Sequence, residues 1–411
     1  MNDKLTCRSC GNPLKHTFAN LGLSPISNHF VKPEDAACGE IFYPLQALVC
    51  DRCWLVQLAD VARAEAHFHD DYVYFSSFSS SWLDHARRYV EMMIRRFNLN
   101  AASRVIEIAS NDGYLLQYFV KAGIPCLGVE PTANTAAAAR SVGVESREIF
   151  FGRDTASQLA HEGKVDVLLG NNVLAHVPDI NDFVAGMPLL LKPEGVITLE
   201  FPHLLHLMAL NQFDTLYHEH FSYLSLTALE PVLKRAGLRC FDLEHLSTHG
   251  GSLRIYVCHE DASHSETEAV AACRRQEEAA GLRRLEVYSA FGEKVRETKR
   301  ALLDFMIAAK REGRSIAAYG AAAKGNTLLN YCGIGTDFID YVVDKNPIKQ
   351  GRLLPGSRIP VLAPDVVVQT RPDYLLILPW NIKEEVIDQM QFIREWGGKF
   401  VIPIPAVQVI R

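Results

Sequence analysis

From residue 103 onward the chain alternates short, unbroken apolar runs with stretches of helical length, and this pattern limits the possible folds most strongly. Runs that are apolar at every position predict parallel strands covered by helices on both faces. Residues 238–243 and 253–258 follow each other without a helix between them and predict an antiparallel pair at the sheet edge. The other predicted strands are residues 104–109, 126–130, 165–170 and 196–201. The pattern therefore predicts an α/β fold.

A second unit of the same kind follows a long amphipathic stretch. Apolar residues recur at helical spacing between Leu285 and Ala309 and predict a helix or a helix pair. After this stretch, a second parallel sheet is predicted from residues 315–319, 338–344, 374–378 and 400–404, with a helix around residues 384–396. Because 411 residues exceed one ordinary core, we expect three domains, at residues 1–68, 69–258 and 259–411.

The N-terminal segment has little helical periodicity but contains two CxxC pairs. Cys7 and Cys10 form the first pair, Cys50 and Cys53 form the second, and 39 residues separate them. A tetrahedral Zn²⁺ takes four thiolates, and each CxxC turn directs two sulfurs to one point. The alternative is two unrelated turns or a redox motif, although a redox CxxC would stand at a βα junction. Four protein ligands leave no open position, so we expect a structural zinc.

The turn between the first predicted strand and its helix, EIASNDG at residues 107–113, is a candidate cofactor-binding site. In open α/β sheets, ligands bind at the carboxyl ends of strands. Glu130 stands 23 residues after Glu107, where a carboxylate can accept hydrogen bonds from ribose hydroxyls. A dinucleotide would need GxGxxG, which this turn lacks, so the predicted cofactor is S-adenosylmethionine. The predicted cofactor contacts are Glu107, Ala109, Asn111, Asp112, Gly113, Glu130, Asn171 and Asn172.

A dense cluster of ionisable and hydroxyl groups, YHEHFSY, occupies residues 217–223. Methyl transfer to carbon needs a base that removes a C–H proton, and histidine suits this role near neutral pH. A metal site is disfavoured because HEH lacks the i, i+4 histidine pair of HExxH, and a polar loop without chemistry is the remaining alternative. His176 follows the predicted strand at residues 165–170 and either faces the methyl group or caps a surface helix.

Two further polar segments are candidate parts of the same site. Tyr72 and Tyr74 precede the first strand of the sheet and either fold over the site or pack in a helix between domains. His249 is followed by two glycines and opens either a polar turn at the sheet end or a simple tight turn.

Composition and charge limit the classes of partner. The net charge is −6 and no Lys/Arg run is present, so the chain lacks the basic footprint of a nucleic-acid-binding protein. No apolar run approaches the roughly 20 residues that span a bilayer. The sequence MNDKLTCRSC lacks the apolar core of a secretory signal. We expect a cytoplasmic protein, a monomer or weak oligomer, that acts on small molecules.

In combination and in this order, the motifs resemble those of the bacterial deoxysugar C-methyltransferases. The motifs are the two CxxC pairs, the turn at residues 107–113, YHEHFSYLS, HGGSLR and YGAAAKGN, and they span nearly the whole chain. The resemblance implies an N-terminal zinc domain, a central Rossmann-like core of the class I methyltransferase type, and a C-terminal domain of similar topology that holds a sugar nucleotide. Ala109 stands where the family turn usually has glycine.

The resemblance also implies roles for individual residues. The general base falls on His220, with Glu219 and Tyr217 as its supporting groups. The upstream tyrosine falls on Tyr74, with Tyr72 as the other candidate, and the auxiliary histidine falls on His176. Because a sugar C–H is acidic only beside a ketone, the implied substrate is a 4-keto-6-deoxysugar linked to dTDP or GDP. His220 would deprotonate its carbon 3, and the resulting enolate would accept the methyl group.

The turn GAAAKGNT at residues 320–327 follows a strand and begins a helix, so its amides can hold an anion. It resembles a P-loop, but Asn326 stands where that motif has lysine, which argues against an NTPase. We expect Lys324 to help bind the diphosphate of the sugar nucleotide; a small-residue helix packed on its sheet is the alternative. The predicted substrate contacts are Tyr72, His249, Tyr319, Lys324, Asn326, Asp344 and Asn381.

Two other functions remain as alternatives. The first is an NAD(P)-dependent sugar-nucleotide oxidoreductase that uses the second α/β unit, although GxGxxG is missing there too. The second is a zinc-anchored binding module without activity, which leaves the YHEH cluster unexplained.

Overall fold

The computed structural model describes residues 5–59 and 75–411. These residues form three β-sheets of four, seven and six strands. The α/β class predicted from the alternating pattern is confirmed. Tyr72 and Tyr74 lie outside the described residues.

The first sheet belongs to the N-terminal segment. Its antiparallel strands are β1 (His16–Ser24), β2 (Tyr43–Val49) and β3 (Val56–Leu58). Two register shifts interrupt the pairing of β1 with β2, and buried and exposed residues do not alternate regularly along β1. Bulges of this kind break the period of two by which a half-buried strand is recognised in a sequence, so these strands were not predicted.

The second sheet is the predicted parallel sheet. Its strands are β4 (Val105–Ile108), β5 (Cys126–Val129), β6 (Ser146–Arg147), β7 (Val165–Asn171), β8 (Leu191–Pro202), β10 (Leu238–Leu246) and β11 (Ser252–His259). The short strand β9 (Ser222–Tyr223) lies between β8 and β10 in the sequence but belongs to the first sheet. The order is β10-β11-β8-β7-β4-β5-β6, and β11 runs antiparallel to both its neighbours. The predicted antiparallel edge pair is confirmed, and this order is that of the class I methyltransferase core.

Helices cover both faces of this sheet. They are α1 (Ser80–Phe97), α2 (Leu116–Lys121), α3 (Ala133–Ser141), α4 (Arg153–His161), α5 (Ile180–Leu190), α6 (Leu204–Ala209), α7 (Leu226–Arg235) and α8 (Glu268–Ala279). Val105 of β4 packs in a core with α1 and α2, whereas its neighbour Ile106 packs in a separate core with α5 and α7. Successive residues of a strand point to opposite faces, so apolar residues at every position match a sheet buried on both sides.

The chain adds strands to both sides of β4: β5 and β6 lie on one side of it, and β7 and β8 lie on the other. This reversal places the switch point of the sheet between β4 and β7. Ligands of open α/β sheets bind in the crevice at such a point. The predicted cofactor turn follows β4 and therefore lies at this crevice.

The predicted long helix is a single helix of 27 residues, α9 (Leu285–Arg311). Phe291 of α9 stacks on Phe18 of the first sheet at a ring-centroid distance of 4.5 Å. Through α9, the first sheet shares one core with the third sheet. None of the helices in the described ranges is both long enough and apolar enough to cross a membrane.

The third sheet has the order β14-β13-β12-β15-β16-β17. Its elements are β12 (Ile316–Tyr319), α10 (Ala323–Cys332), β13 (Val342–Val343), β14 (Val361–Leu362), α11 (Val366–Thr370), β15 (Tyr374–Ile377), α12 (Lys383–Gln389), β16 (Lys399–Ile402) and β17 (Gln408–Ile410). The strand predicted at residues 338–344 shrinks to two residues, because Phe338 and Ile339 both donate to the Gly335 carbonyl in a turn. The helix predicted around residues 384–396 divides into α12 and the 3-10 helix Gln391–Trp396.

Candidate functional site

The four cysteines of the two CxxC pairs converge on one point. Their sulfur atoms all lie within 4.8 Å of one another, with Cys7 Sγ 3.5 Å from Cys53 Sγ and Cys10 Sγ 3.6 Å from Cys50 Sγ. Ligand sulfurs around a tetrahedral zinc, each about 2.3 Å from the metal, are about 3.8 Å apart. The donor set and its spacing therefore fit a structural Zn²⁺.

Polar groups around these cysteines direct N–H bonds toward the sulfurs. Gln57 Nε2 donates to Cys7 Sγ at 3.2 Å, and the Arg52 amide donates to Cys50 Sγ at 3.4 Å. Such outer hydrogen bonds orient the ligands of a metal site and stabilise thiolates. The segment thus supplies both the ligands and their supporting donors.

The cofactor turn at residues 107–113 alternates left-handed backbone positions. Ala109, Asn111 and Gly113 have φ angles of 55°, 49° and 77°. Ala109 and Asn111 thus take the conformation that favours glycine, which is absent from both positions. A Cβ atom on Gly113 would lie 3.2 Å from the Ala139 backbone, so the turn also packs closely on α3. The glycine-like geometry is kept although two of the glycines are replaced.

Glu130 follows β5 and lies beside the cofactor turn. Its carboxylate accepts hydrogen bonds from the Asn111 amide at 2.8 Å and from the Thr132 amide at 2.9 Å. Burial raises the pKa of Glu130, and burial also raises the pKa of Glu107 well above its usual value. Both predicted acids are thus buried next to the cofactor turn, where a ligand hydroxyl group would compensate for lost hydration.

Buried polar atoms without partners mark where a ligand would bind. No described residue offers a hydrogen-bond partner to Asp112 Oδ1 or to either polar side-chain atom of Asn171. Both side chains are buried at the carboxyl ends of neighbouring strands. Such atoms are normally paired in native proteins, so their lack of partners fits a polar ligand at this end of the sheet.

The segment before α1 closes one side of the crevice. The Ser76 amide donates to Asn111 Oδ1 at 2.9 Å, and the Ser77 amide donates to Asp112 Oδ2 at 3.0 Å. These bonds bring the chain that immediately follows Tyr74 onto the cofactor turn.

His220 is partly buried, and its hydrogen bonds determine which ring nitrogen carries the proton. His220 Nδ1 lies 2.9 Å from the Thr215 carbonyl oxygen, which can only accept, so Nδ1 is the protonated nitrogen. The Tyr217 hydroxyl lies 2.9 Å from Nε2 and donates to it. Burial, and then the neighbouring His176, lower the pKa of His220 well below its usual value. The imidazole is therefore neutral near pH 7, and its Nε2 carries a lone pair that can accept a proton.

The two other candidate histidines surround this group. His176 is packed edge-on to His220 at a ring-centroid distance of 4.6 Å, and burial lowers its pKa to about 4. His176 ends the 3-10 helix Leu174–His176 and is partly buried against His220, and its role facing the methyl group stays a prediction. Asn172 Nδ2 donates to His249 Nε2 at 2.9 Å, and burial lowers the pKa of His249 to about 4 as well.

Glu219 joins the N-terminal segment to this cluster. Asn28 Nδ2, on the loop between β1 and β2, donates to Glu219 Oε1 at 2.7 Å. Burial raises the pKa of Glu219 to about 7, although the bond from Asn28 opposes the shift. Asn28 was not predicted, and because it lies 191 residues from its partner, no local sequence signal points to it.

Lys324 extends from the third sheet toward the histidines. Lys324 Nζ donates to Asn381 Oδ1 at 2.7 Å and lies 4.6 Å from the centroid of the Trp380 ring. Burial lowers the pKa of Lys324, and the nearby Asp214 carboxylate acts in the opposite direction. The positive charge of Lys324 contributes to the lowered pKa of both His220 and His249. The structure therefore brings these three predicted residues together.

The other candidates of the third sheet occupy the same strand ends. Asp344 Oδ2 accepts from the Ala321 amide at 2.8 Å, and the Tyr319 hydroxyl donates to Gln389 at 2.9 Å. Asn326 is buried, and neither of its polar side-chain atoms has a hydrogen-bond partner among residues 5–59 and 75–411. Asn326 thus resembles Asn171 in having buried, unpaired polar atoms, although it lies near the start of α10.

Two buried acids near the site were not predicted. Burial raises the pKa of Asp214 to about 6 despite Lys324, and Trp380 Nε1 donates to Asp214 at 2.7 Å. Burial opposes ionisation of Glu200, but bonds from His85 and Arg254 outweigh it and lower its pKa to about 2. A charged residue inside an apolar strand such as β8 was the only available sequence signal for Glu200.

Three family models match successive parts of the chain. "Putative zinc binding domain" matches residues 7–68, "Methyltransferase domain" residues 82–243, and "C-methyltransferase C-terminal domain" residues 247–405. C-methyltransferase NovU of Streptomyces niveus is 36% identical over 408 residues, which cover 98% of this chain and 96% of NovU. The chain belongs to the C-methyltransferase family.

Other relatives of this C-methyltransferase match its central part. A ubiquinone biosynthesis O-methyltransferase of Rhodopseudomonas palustris is 27% identical over 117 residues, which are 28% of this chain and 46% of the relative. The solved structure of magnesium protoporphyrin IX methyltransferase from Synechocystis PCC 6803 with bound SAM is 14% identical. It covers 43% of this chain and 79% of its own, with a TM-score of 0.34.

The predicted methyltransferase class, its S-adenosylmethionine cofactor and the N-terminal zinc are thereby confirmed for this C-methyltransferase. Neither alternative function, the oxidoreductase or the inactive binding module, finds support in these matches.

Proposed function

We propose that this C-methyltransferase methylates carbon 3 of a nucleotide-linked 4-keto-6-deoxysugar, with His220 as the general base. The observation that carries the proposal is the fixed tautomer of His220, which leaves the Nε2 of a neutral, partly buried imidazole as proton acceptor. Methyl transfer to carbon, unlike transfer to oxygen or nitrogen, requires removal of a C–H proton. A ketone beside that carbon makes its proton acidic enough for an imidazole base.

The cofactor contacts in this proposal are the groups around the switch point. Glu130 would accept the ribose hydroxyls, and Asp112 and Asn171 would pair their unpartnered atoms with the cofactor. When bound, S-adenosylmethionine supplies a methyl group on a positively charged sulfur. The remaining proposed contacts are Glu107, Ala109, Asn111, Gly113 and Asn172.

The proton moves within the cluster at residues 217–220. His220 Nε2 takes the proton of carbon 3, while its Nδ1–H stays bonded to the Thr215 carbonyl. The Tyr217 hydroxyl, which now donates to Nε2, is then released to donate to the enolate oxygen. His176 packs against the base, and Glu219 supports the segment that carries it. Tyr74 remains the proposed upstream tyrosine, with Tyr72 as a substrate contact.

The third sheet would hold the nucleotide part of the substrate. Lys324 is a partly buried cation whose pKa is lowered by desolvation, so a bound diphosphate would restore the stability of its charge. The unpaired amide of Asn326 supports a polar ligand at the same turn. His249, Tyr319, Asp344 and Asn381 complete the proposed contacts. The substrate would thus lie between the second and third sheets, with its sugar at His220.

The variant His220→Asn tests the proposed base. We expect methyl transfer to a 4-keto sugar nucleotide to fall by about 10²–10⁴-fold, because asparagine cannot accept the proton. Exchange of the carbon 3 proton with deuterated solvent should fall in parallel, whereas calorimetric binding of S-adenosylhomocysteine should stay unchanged. The matched control is His161→Ala, an exposed histidine on α4. Turnover retained by His220→Asn would overturn the assignment.

A further inference from the structure

Three histidines outside the proposed catalytic cluster converge near the edge of the second sheet. His203 stands directly before α6, His206 lies within α6, and His245 lies near the end of β10. One ring nitrogen from each side chain lies within 4.8 Å of the nitrogens of the other two. His203 is fully buried, His206 is partly buried and His245 is exposed. This histidine triad has no part in the proposed transfer.

The hydrogen bonds of His203 leave one ring nitrogen for a ligand. His203 Nε2 lies 2.7 Å from Glu277 Oε1, which is equally buried. In the part of the chain that the structure describes, His203 Nδ1 is buried without a hydrogen-bond partner. A histidine that donates one N–H to a carboxylate presents its other nitrogen as a lone pair, which is the usual arrangement of a metal-bound histidine.

Glu277 acts in this arrangement as a supporting carboxylate and not as a ligand. Besides His203, it accepts hydrogen bonds from the Leu226 amide at 2.8 Å and from the Thr227 amide at 2.7 Å. The Thr227 hydroxyl donates to it as well, at 2.6 Å. These bonds anchor the start of α7 and occupy both carboxylate oxygens. The nearby Cys273 sulfur lies 4.0 Å from the same carboxylate, and we do not include it among the proposed metal ligands.

We propose that His203, His206 and His245 form a second metal site, for Zn²⁺ or a similar imidazole-preferring divalent transition metal. His203 Nδ1 is the buried ligand, oriented by Glu277. Zinc–nitrogen bonds are about 2.0–2.1 Å long, and small rotations of the His206 and His245 rings would bring nitrogens within 4.8 Å onto one ion. Because His245 is exposed, the fourth position opens to solvent, unlike that of the four-cysteine site.

The site would brace the turn that carries His249. The His203 amide donates to the Gly251 carbonyl at 3.0 Å. A Cβ atom on Gly251 would lie 2.7 Å from the His206 ring, so the turn rests directly against the triad. His206 belongs to α6 and His245 to β10, the strand that leads into this turn. A metal bound by both histidines would therefore link the two elements that contact the turn.

Metal content tests the proposal. After dialysis against a micromolar zinc buffer, we expect the wild-type protein to retain about two zinc ions per chain and His245→Ala about one. His245 is exposed, so its replacement should leave the fold and the melting temperature in zinc-free buffer unchanged. His161→Ala provides the matched exposed-histidine control and should retain two ions.

Replacement of zinc by cobalt distinguishes the two sites by their absorption spectra. Cobalt bound by the four cysteines gives strong sulfur-to-metal absorption, whereas cobalt bound by the triad gives only weak ligand-field bands. The variant His245→Ala should lose only the weak ligand-field bands and keep the sulfur-to-metal absorption. A zinc content that is equal in wild type and His245→Ala, whether one or two ions per chain, would overturn the proposal.

Discussion

Ala109 holds a strained backbone conformation at the centre of the cofactor turn. Its φ of 55° places a Cβ-bearing residue in the left-handed region, which costs an L-residue about 1–2 kcal/mol. The Ala109 amide nevertheless donates to the Val129 carbonyl at 2.7 Å, so the conformation is fixed by the adjoining strands. The neighbouring core therefore holds this residue in place, although its own backbone preference opposes the turn.

The variant Ala109→Gly should raise the stability of the protein. Relief of strain outweighs the larger unfolded-state entropy of glycine, so the free energy of unfolding should increase by about 0.5–1 kcal/mol. Chemical denaturation with a fluorescence readout measures the change. The matched control is Ala137→Gly on the exposed face of α3, where the same substitution should destabilise by a similar amount. Destabilisation by both substitutions would contradict strain at Ala109.

Glu219 should make stability depend on pH. Burial raises its folded-state pKa to about 7, above the value of the unfolded chain, so the folded state binds the extra proton between about pH 4.5 and pH 7. The stabilising contribution is therefore full at lower pH and is lost as the pH rises through 7. Glu219→Gln keeps an oxygen that can accept from Asn28 but cannot ionise. As the pH rises from 5 to 8, the melting temperature of wild type should fall relative to that of this variant. A difference in melting temperature between the two proteins that stays constant over this range would refute the raised pKa of Glu219.

At this scale, sequence patterns predicted the residues that lie together in short motifs. YHEH and the turn at residues 107–113 are local, and the side chains of each occupy a few neighbouring positions. Asn28, Asp214 and Glu200 could not be found in this way, since their roles depend on partners that folding brings from distant segments. Tyr74 and Tyr72 remain predictions.

The short strand β9 connects the zinc-binding segment to the proposed catalytic cluster at residues 217–220. β9 follows directly after residues 217–221 and pairs with β3, which lies just beyond Cys53. Asn28, between β1 and β2, adds the bond to Glu219. A change in the fold of the N-terminal segment should therefore displace the proposed base, although the zinc itself takes no part in the reaction.

Removal of one zinc ligand tests this connection. Cys50→Ser should lose zinc from the four-cysteine site and most of the methyl-transfer activity, because a structural zinc site loses its fold with its metal. Elemental analysis and a methyl-transfer assay measure both quantities. Cys38→Ser is the control, since Cys38 is an exposed cysteine of the same segment. Full activity in a zinc-free Cys50→Ser protein would contradict the structural connection.

Strands and helices with a regular pattern of buried residues could be predicted from the sequence, whereas interrupted or very short strands could not. The strands of the second sheet and the helix α9 follow plain periodicities, because a single environment covers each face. In β1 the register shifts break that periodicity, and β13 is too short to produce one. The pairing of β9 with β3 joins residues about 166 positions apart, and no local pattern encodes it.

On the scale of the whole molecule, all three sheets contribute to one region. Asn28 lies between β1 and β2 of the first sheet, His220 just before β9 of the same sheet, His176 after β7 of the second, and Lys324 at the start of α10 beside the third. In the proposed function, separate parts of the chain bind the methyl donor and the nucleotide and together orient the reacting carbon. Such positioning provides a large part of the rate enhancement in a two-substrate transfer.

The central claim is tested most directly by identifying the methylated atom. The wild-type protein would be incubated with S-adenosylmethionine carrying a labelled methyl group and with 4-keto-6-deoxysugars linked to dTDP or GDP. Mass spectrometry would detect transfer, and NMR would locate the label. We expect one labelled methyl group on carbon 3 of one of these sugar nucleotides. Transfer to an oxygen atom, or no transfer to any nucleotide-linked keto sugar, would contradict it.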